Sequence, residues 1–255
     1  MISRGRRATV LQAETDKTSD RPTSSAIATR SAGLRVSSSY IRREASRNSA
    51  DIRHAKIVGE RFAILRTRIL REMRKHGWRR LAVVPLTKGA GATTVALQLS
   101  LALARQKHTE VILVDLDLAR PRIAAALGIP ESDQVSEILV EGRDIIDITA
   151  IVEELPNLWV VAPGGSEPDA AELLQDESLA SAMKIWRGLR PDAIEIIDTA
   201  PLLGGDAALA TLPLADAILL VADGQNGTAA DMIQAERLLK DMPPVMGVIL
   251  NKSED

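Results

Sequence analysis

Three aspartates stand at the ends of short apolar runs: Asp115 and Asp117 in "VILVDLDLARP", and Asp198 in "IEIIDTAP". Carboxylates at i and i+2 of an extended chain point to one side, where they can hold a hydrated Mg2+ or orient an attacking group. Upstream, "PLTKGAGATTVALQLS" (Pro85 to Ser100) alternates glycines with small residues and then takes up helical spacing. Glycines let a backbone curl until its N–H groups point at phosphate oxygens, and a helix N-terminus adds its positive end. Thr93 falls where the Ser/Thr hydroxyl of a phosphate loop ligates Mg2+, and Asp198 where a carboxylate supports that metal through water. The lysine such loops carry is missing, and its place is taken by Ala92. Alone, the loop also reads as a structural glycine turn and the aspartates as ordinary acidic turns. Three acidic strand ends beside one glycine loop point instead to a nucleotide site.

These residues need elements to bring them together, and the apolar pattern supplies a set. The runs "LAVVPL", "VILVDLDL", "LWVVAPG", "AIEIIDTAP", "AILLVAD" and "VMGVILN" are separated by segments of helical spacing. Several are almost wholly apolar, as expected of parallel strands covered on both faces. The order predicts an α/β fold with a doubly wound, mostly parallel sheet, which binds ligands beyond the carboxyl ends of its strands. Each motif above sits at such an end. Before the first run, Phe62, Leu65, Ile69 and Met73 recur at steps of three and four, which predicts a helix that Gly77 ends.

Composition narrows the function. The chain has 255 residues and no cysteine, which excludes disulfides and thiolate metal sites. His54, His76 and His108 lack ligand-like spacing. The longest apolar runs, such as Ala217 to Ala222, fall short of the ~20 residues of a membrane-spanning helix. The net charge of −2 hides two unlike parts. Residues 1–55 hold eleven of the 32 basic and five of the 34 acidic residues, a net of +6, which leaves 21 basic and 29 acidic, a net of −8, for the remainder. The first part is also serine-rich and without apolar period, so it is expected to be a disordered tail ahead of one nucleotide-binding domain over residues 56–255. Its charge would suit anionic lipid, nucleic acid or the acidic domain, or simply keep the tail solvated. "RGRR" has no apolar export segment after it and is not read as a leader.

In order and spacing, "PLTKGAGATT", "ILVDLDLARP" and "IIDTAPLLGGDAALA" resemble the Walker A, A′ and B segments of bacterial tyrosine kinases (BY-kinases), the ATPase modules of capsule and exopolysaccharide assembly. The likeness extends through "ERFAILRTRIL", "VSEILVEG", "VVAPGGSEPDAAELL" and "GVILNK", covering roughly residues 57–252. It implies a P-loop fold related to the partitioning (ParA-type) and division-site (MinD-type) ATPases, with ATP and Mg2+ as ligands. The implied partner is a membrane polysaccharide co-polymerase or export subunit, and the implied place is the cytoplasmic side of the inner membrane. Carried over residue by residue, the resemblance assigns the phosphate cradle to Gly89, Ala90, Gly91, Ala92, Thr93 and Thr94. It puts Thr93, Asp115 and Asp198 at the metal, Asp115 and Asp117 at the attacking hydroxyl, and Asn251 near the base.

The chain departs from the family at three points. Ala92 replaces the loop lysine. The tyrosine cluster has no counterpart, Tyr40 being the one tyrosine. The Glu-x-x-Arg-x-x-Arg helix through which relatives self-associate reads Glu60, Ala63, Arg66. A charged hydrogen bond to phosphate contributes about 1.5–3 kcal/mol, so its loss costs roughly ten- to a hundredfold in affinity. Loss of a group that stabilises the transition state removes about 10²–10³-fold in rate. Lys88, four residues earlier, is the candidate replacement. Three readings follow: a nucleotide-binding regulator with weak or lost kinase activity, a competent kinase or ATPase that uses Lys88, and a positioning ATPase anchored by its basic tail. The last is disfavoured by Thr87, where such ATPases carry a lysine, and by the Arg120–Pro121 that follows the second motif.

Overall fold

The computed structural model describes residues 35–36, 49–130, 133–143 and 145–253. Eight strands form one sheet: β1 (Arg35–Val36), β2 (Arg80–Pro85), β3 (Val111–Leu116), β4 (Thr149–Val152), β5 (Leu158–Val161), β6 (Ile194–Thr199), β7 (Ala217–Asp223) and β8 (Val245–Asn251). Their spatial order is β1-β4-β5-β3-β6-β2-β7-β8. Every pairing is parallel except β4 with β5, so the predicted doubly wound α/β sheet is what the chain forms. The antiparallel β4 is absent from the strand reading above. "TAIV" is only four residues long, too short for its apolar run to stand out, although Pro156–Asn157 mark the turn that separates it from "LWVV".

Alternate residues of each central strand enter different cores. Leu81, Val83, Leu113 and Ile196 face α1 (Ser49–His76) and α2 (Ala92–Ala104). Ala82, Val84, Ile112 and Ile197 face the opposite layer, which includes α6 (Glu177–Leu189) with Met183 and the fully buried Trp186. Burial on both faces is why β2, β3, β6 and β7 read as continuous apolar runs rather than alternating ones. Between them come α3 (Ile123–Leu127), α4 (Val135–Val140) and α5 (Ala170–Gln175), and later α7 (Ala207–Thr211) and α8 (Ala229–Leu238).

The helix predicted from Phe62 to Gly77 is longer than its apolar stripe. It begins at Ser49: residues 49–56 are compatible with helix, but with Ile52 their one large apolar residue they do not extend the apolar stripe from which the helix is predicted. Gly77, at φ +70, ends it as expected. Of residues 1–55, only Arg35–Val36 and 49–55 are described, as a strand and as helix; Tyr40 and the rest of the tail lie outside the described residues. His76 stacks on Trp78 with ring centroids 4.3 Å apart.

Candidate nucleotide site

β2 lies inside the sheet, between β6 and β7, with β3 beyond β6. The carboxyl ends of β2, β3 and β6 therefore converge, and the three sequence motifs meet there. The loop after β2 is shaped by two left-handed glycines, Gly89 at φ +86 and Gly91 at φ +88, around the fully buried Ala90. Gly91 is also the residue from which α2 starts. A Cβ on Gly91 would lie 2.3 Å from Asn251 Nδ2, so any other residue there strains the backbone and also displaces the Asn251 side chain from the loop; at Gly89 only the backbone angle demands glycine. The first amides of α2 have no intrahelical acceptor and make its start an anion-binding end. Ala92 is that helix's first residue and is buried among the α1–α2 core side chains.

Thr93, Thr94, Lys88 and Asp117 line a cavity of about 270 Å3 at the loop, together with Arg120 and Arg122. Lys88 is exposed at its rim. The carboxylates take different positions. Asp115 is fully buried and held by backbone amides: Oδ2 accepts those of Arg122 (2.8 Å) and Ile123 (2.9 Å), and Oδ1 that of Asp117 (3.2 Å). Burial pushes its carboxyl up to about 6, while those amides hold it back. Asp117 lies one residue past β3 and lines the cavity, so the two aspartates are not a matched pair on one side of the strand. Burial raises Asp117 too, against the pull of Arg120 and Arg122.

Asp198 is 1% exposed, and no partner meets hydrogen-bond geometry at either of its oxygens, although the Thr93 hydroxyl and the Thr199 amide lie near enough to favour its charge; Oδ1 of Asp117 is likewise buried and unpartnered. Burial first, and the neighbouring Asp115 second, raise Asp198 well above the usual carboxylate range, with partial relief from the Thr93 side chain. Among the described residues no three Asp, Glu or His converge as a self-sufficient metal cage. The donors fit Mg2+ instead as phosphate loops take it: one Thr93 hydroxyl, a water-bridged Asp198, and the phosphates themselves. Orphaned hard oxygens beside the loop are the group this ion would satisfy. Asp115 is the weakest fit as a direct ligand, because three amides already occupy it.

Asn251 Nδ2 donates to the carbonyl of Ala90 (2.8 Å), which places it beneath the loop. Two residues not singled out from sequence also belong here. Asp223 is a fourth acidic strand end, at the close of β7, and Lys252 follows Asn251; their contact at 2.9 Å ties both to the loop. Arg66, the surviving arginine of the self-association pattern, is spent inside the chain, where its Nη1 donates to Ala102 O (3.1 Å) in the last turn of α2.

No protein-family model matches the chain. Over 172 residues it is 27% identical to the tyrosine-protein kinase Wzc of Salmonella typhi, a match covering 67% of this chain but only 23% of that relative's length. Among solved structures it resembles the VpsO kinase domain (TM-score 0.68, 21% identity, 81% of this chain and all of that one). It also resembles the septum site-determining protein MinD of Pyrococcus horikoshii, solved with Mg-ADP (TM-score 0.53, 21% identity, 69% and 72%). By its motif order, its sheet and these likenesses, the described part of the chain has the α/β fold of P-loop nucleotide-binding domains and is similar to the kinase domains of bacterial tyrosine kinases.

Proposed function

We propose that this chain binds ATP with Mg2+ at residues 88–94 as a module of exopolysaccharide or capsule assembly, and that it transfers phosphoryl groups slowly or not at all. One observation carries the reading: the backbone cradle and the carboxylate side of a phosphate site are present, and the residue at the lysine position is the buried Ala92. The bound ion would neutralise phosphate charge. The chain's own part is to present amides from the start of α2, the Thr93 hydroxyl and the Asp198 carboxylate, with Asp117 at the position facing an incoming hydroxyl.

In this reading ATP occupancy, not turnover, is the signal passed to a membrane polysaccharide co-polymerase or export subunit at the cytoplasmic side of the inner membrane. The resemblance to capsule-associated kinases supports that assignment. Among the described residues no helix is long and apolar enough to cross a membrane; in this reading contact with the membrane runs through that partner or the basic tail.

Titration with a labelled ATP analogue tests the site. Binding is expected only with Mg2+ and is expected to vanish in Asp198→Ala; no binding at millimolar nucleotide sinks the proposal. A second reading, a competent kinase or ATPase, is favoured by Lys88 at the rim of the same cavity. It requires measurable phosphate release that Lys88→Ala abolishes.

A further inference from the structure

β8 ends at Asn251, and the chain turns through Lys252 at φ +59. Among the described residues this is the only non-glycine with positive φ. Such a conformation is disfavoured for a non-glycine residue and persists only where its surroundings hold it. What holds it is backbone contact with the end of β7. Gly224 N–H donates to Asn251 O at 2.7 Å, and a Cβ on Gly224 would come within 3.0 Å of that oxygen and 3.2 Å of Ser253.

The turn sends the Lys252 side chain back under the phosphate loop. Its Nζ donates to Gly89 O (2.7 Å) and to Asp223 Oδ2 (2.9 Å). Asp223 is 5% exposed and is itself fixed by the amides of Gln225 (2.9 Å) and Asn226 (3.2 Å). Asn251 and Lys252, consecutive in the chain, thus hold Ala90 O and Gly89 O, consecutive in the loop. In a planar trans peptide the C=O and N–H point in opposite directions. Drawing Ala90 O down to Asn251 therefore turns the Gly91 amide the other way. Drawing Gly89 O to Lys252 leaves the Ala90 amide on Thr87 O, 3.2 Å away, which closes the turn.

We propose that Lys252 and Asp223 form a strap that holds the phosphate loop in its anion-binding shape, a positioning role set by the turn after β8. The ammonium is neutralised by Asp223 and satisfied by a loop carbonyl, so Lys252 does not replace the charge missing at Ala92. It fixes the amides that must bind phosphate without that charge. The inference rests on the loop being a phosphate site, and its test has an arm that does not.

Amide hydrogen exchange of residues 86–92 is measured without nucleotide, alongside affinity for the labelled Mg·ATP analogue, in Lys252→Met, Lys252→Arg, Asp223→Asn and the Lys252→Met/Asp223→Asn double variant. Lys252→Met is expected to speed loop exchange about tenfold while β2 and β6 keep their protection, and to weaken nucleotide binding by about tenfold, the effect of one charge-assisted hydrogen bond. Lys252→Arg should recover most of both. The double variant should be no worse than either single, because the two side chains act as one unit. Unchanged loop exchange in Lys252→Met overturns the strap, as does faster exchange spread evenly through the sheet. If the wild-type chain binds no nucleotide, the proposed function fails and the exchange arm alone decides the strap.

Discussion

Asp115 and Asp198 are register partners across β3 and β6, and only one of them is satisfied. Asp115 accepts three backbone amides, whereas neither buried oxygen of Asp198 has a well-formed hydrogen bond. The sheet brings two carboxylates together at the one edge where the phosphate loop also ends. A buried unpaired carboxylate is costly, and the metal-supporting role proposed above would account for the site's retaining one.

Asp198→Asn should therefore stabilise the chain in the absence of nucleotide while removing Mg2+-dependent binding. Relief of about 1 kcal/mol would raise Tm by roughly 2–4 °C at this size. Thermal unfolding with and without the Mg·ATP analogue checks it, and a lowered Tm without ligand would mean that Asp198 is a structural group.

Ala92→Lys restores the missing charge at the start of α2. Nucleotide affinity should rise about ten- to a hundredfold, and any phosphate release by about 10²–10³-fold. Equilibrium binding and a phosphate-release assay read the two separately. Unchanged values in a folded variant would show that Lys88 already serves the phosphates.

Gly91→Ala and Gly89→Ala should separate steric from conformational cost. Both glycines have φ near +90, but only at Gly91 does the added Cβ run into Asn251. Gly89→Ala should cost about 1 kcal/mol from backbone strain alone, and Gly91→Ala more, with loss of nucleotide binding. Equal chemical denaturation midpoints for the two would contradict the packing of Asn251 against the loop.

Far from the site, Asp216 accepts the amides of Arg79 (2.8 Å) and Arg80 (2.9 Å) and pairs with the Arg80 guanidinium. Burial works to raise its carboxyl, but the Arg80 hydrogen bond, the two amides and the Arg80 charge together hold it below its ordinary value of 3.8. A carboxyl depressed on folding stabilises above its unfolded value and loses that stabilisation as pH falls through its folded one. Asp216→Asn should thus cost about 1–2 kcal/mol at pH 5–7, discounted for partial exposure, with the gap closing below about pH 4. Urea titrations across that range measure it, and nucleotide binding at pH 7 should be unchanged. A gap independent of pH would remove the charge from the explanation.

Much of the fold is legible because burial on both sheet faces leaves long apolar runs, and a glycine loop between such a run and a helix has few other uses. β7 and β8 coincide with "AILLVAD" and "VMGVILN". The antiparallel β4 and the early start of α1 leave no such mark, since four apolar residues, or a stretch without a clear apolar period, fit several structures. Within the site, residue type indicates where chemistry is available but not which partner a side chain has taken. Asp115 and Asp198 look alike in sequence, yet one is occupied by amides of a neighbouring turn and the other is left open. Arg66 belongs to a self-association pattern in sequence and caps α2 in space.

The sequence by itself determined the sheet, the glycine loop, the acidic strand ends and the missing lysine, because these follow from local pattern and from residue identity at fixed spacing. The tertiary structure alone decided which carboxylate is free, that Arg66 is consumed within the chain, and that Lys252 reaches Gly89 across 163 positions. Those outcomes depend on strand order and on a single left-handed turn, and neither is encoded in the spacing of the residues that they bring together.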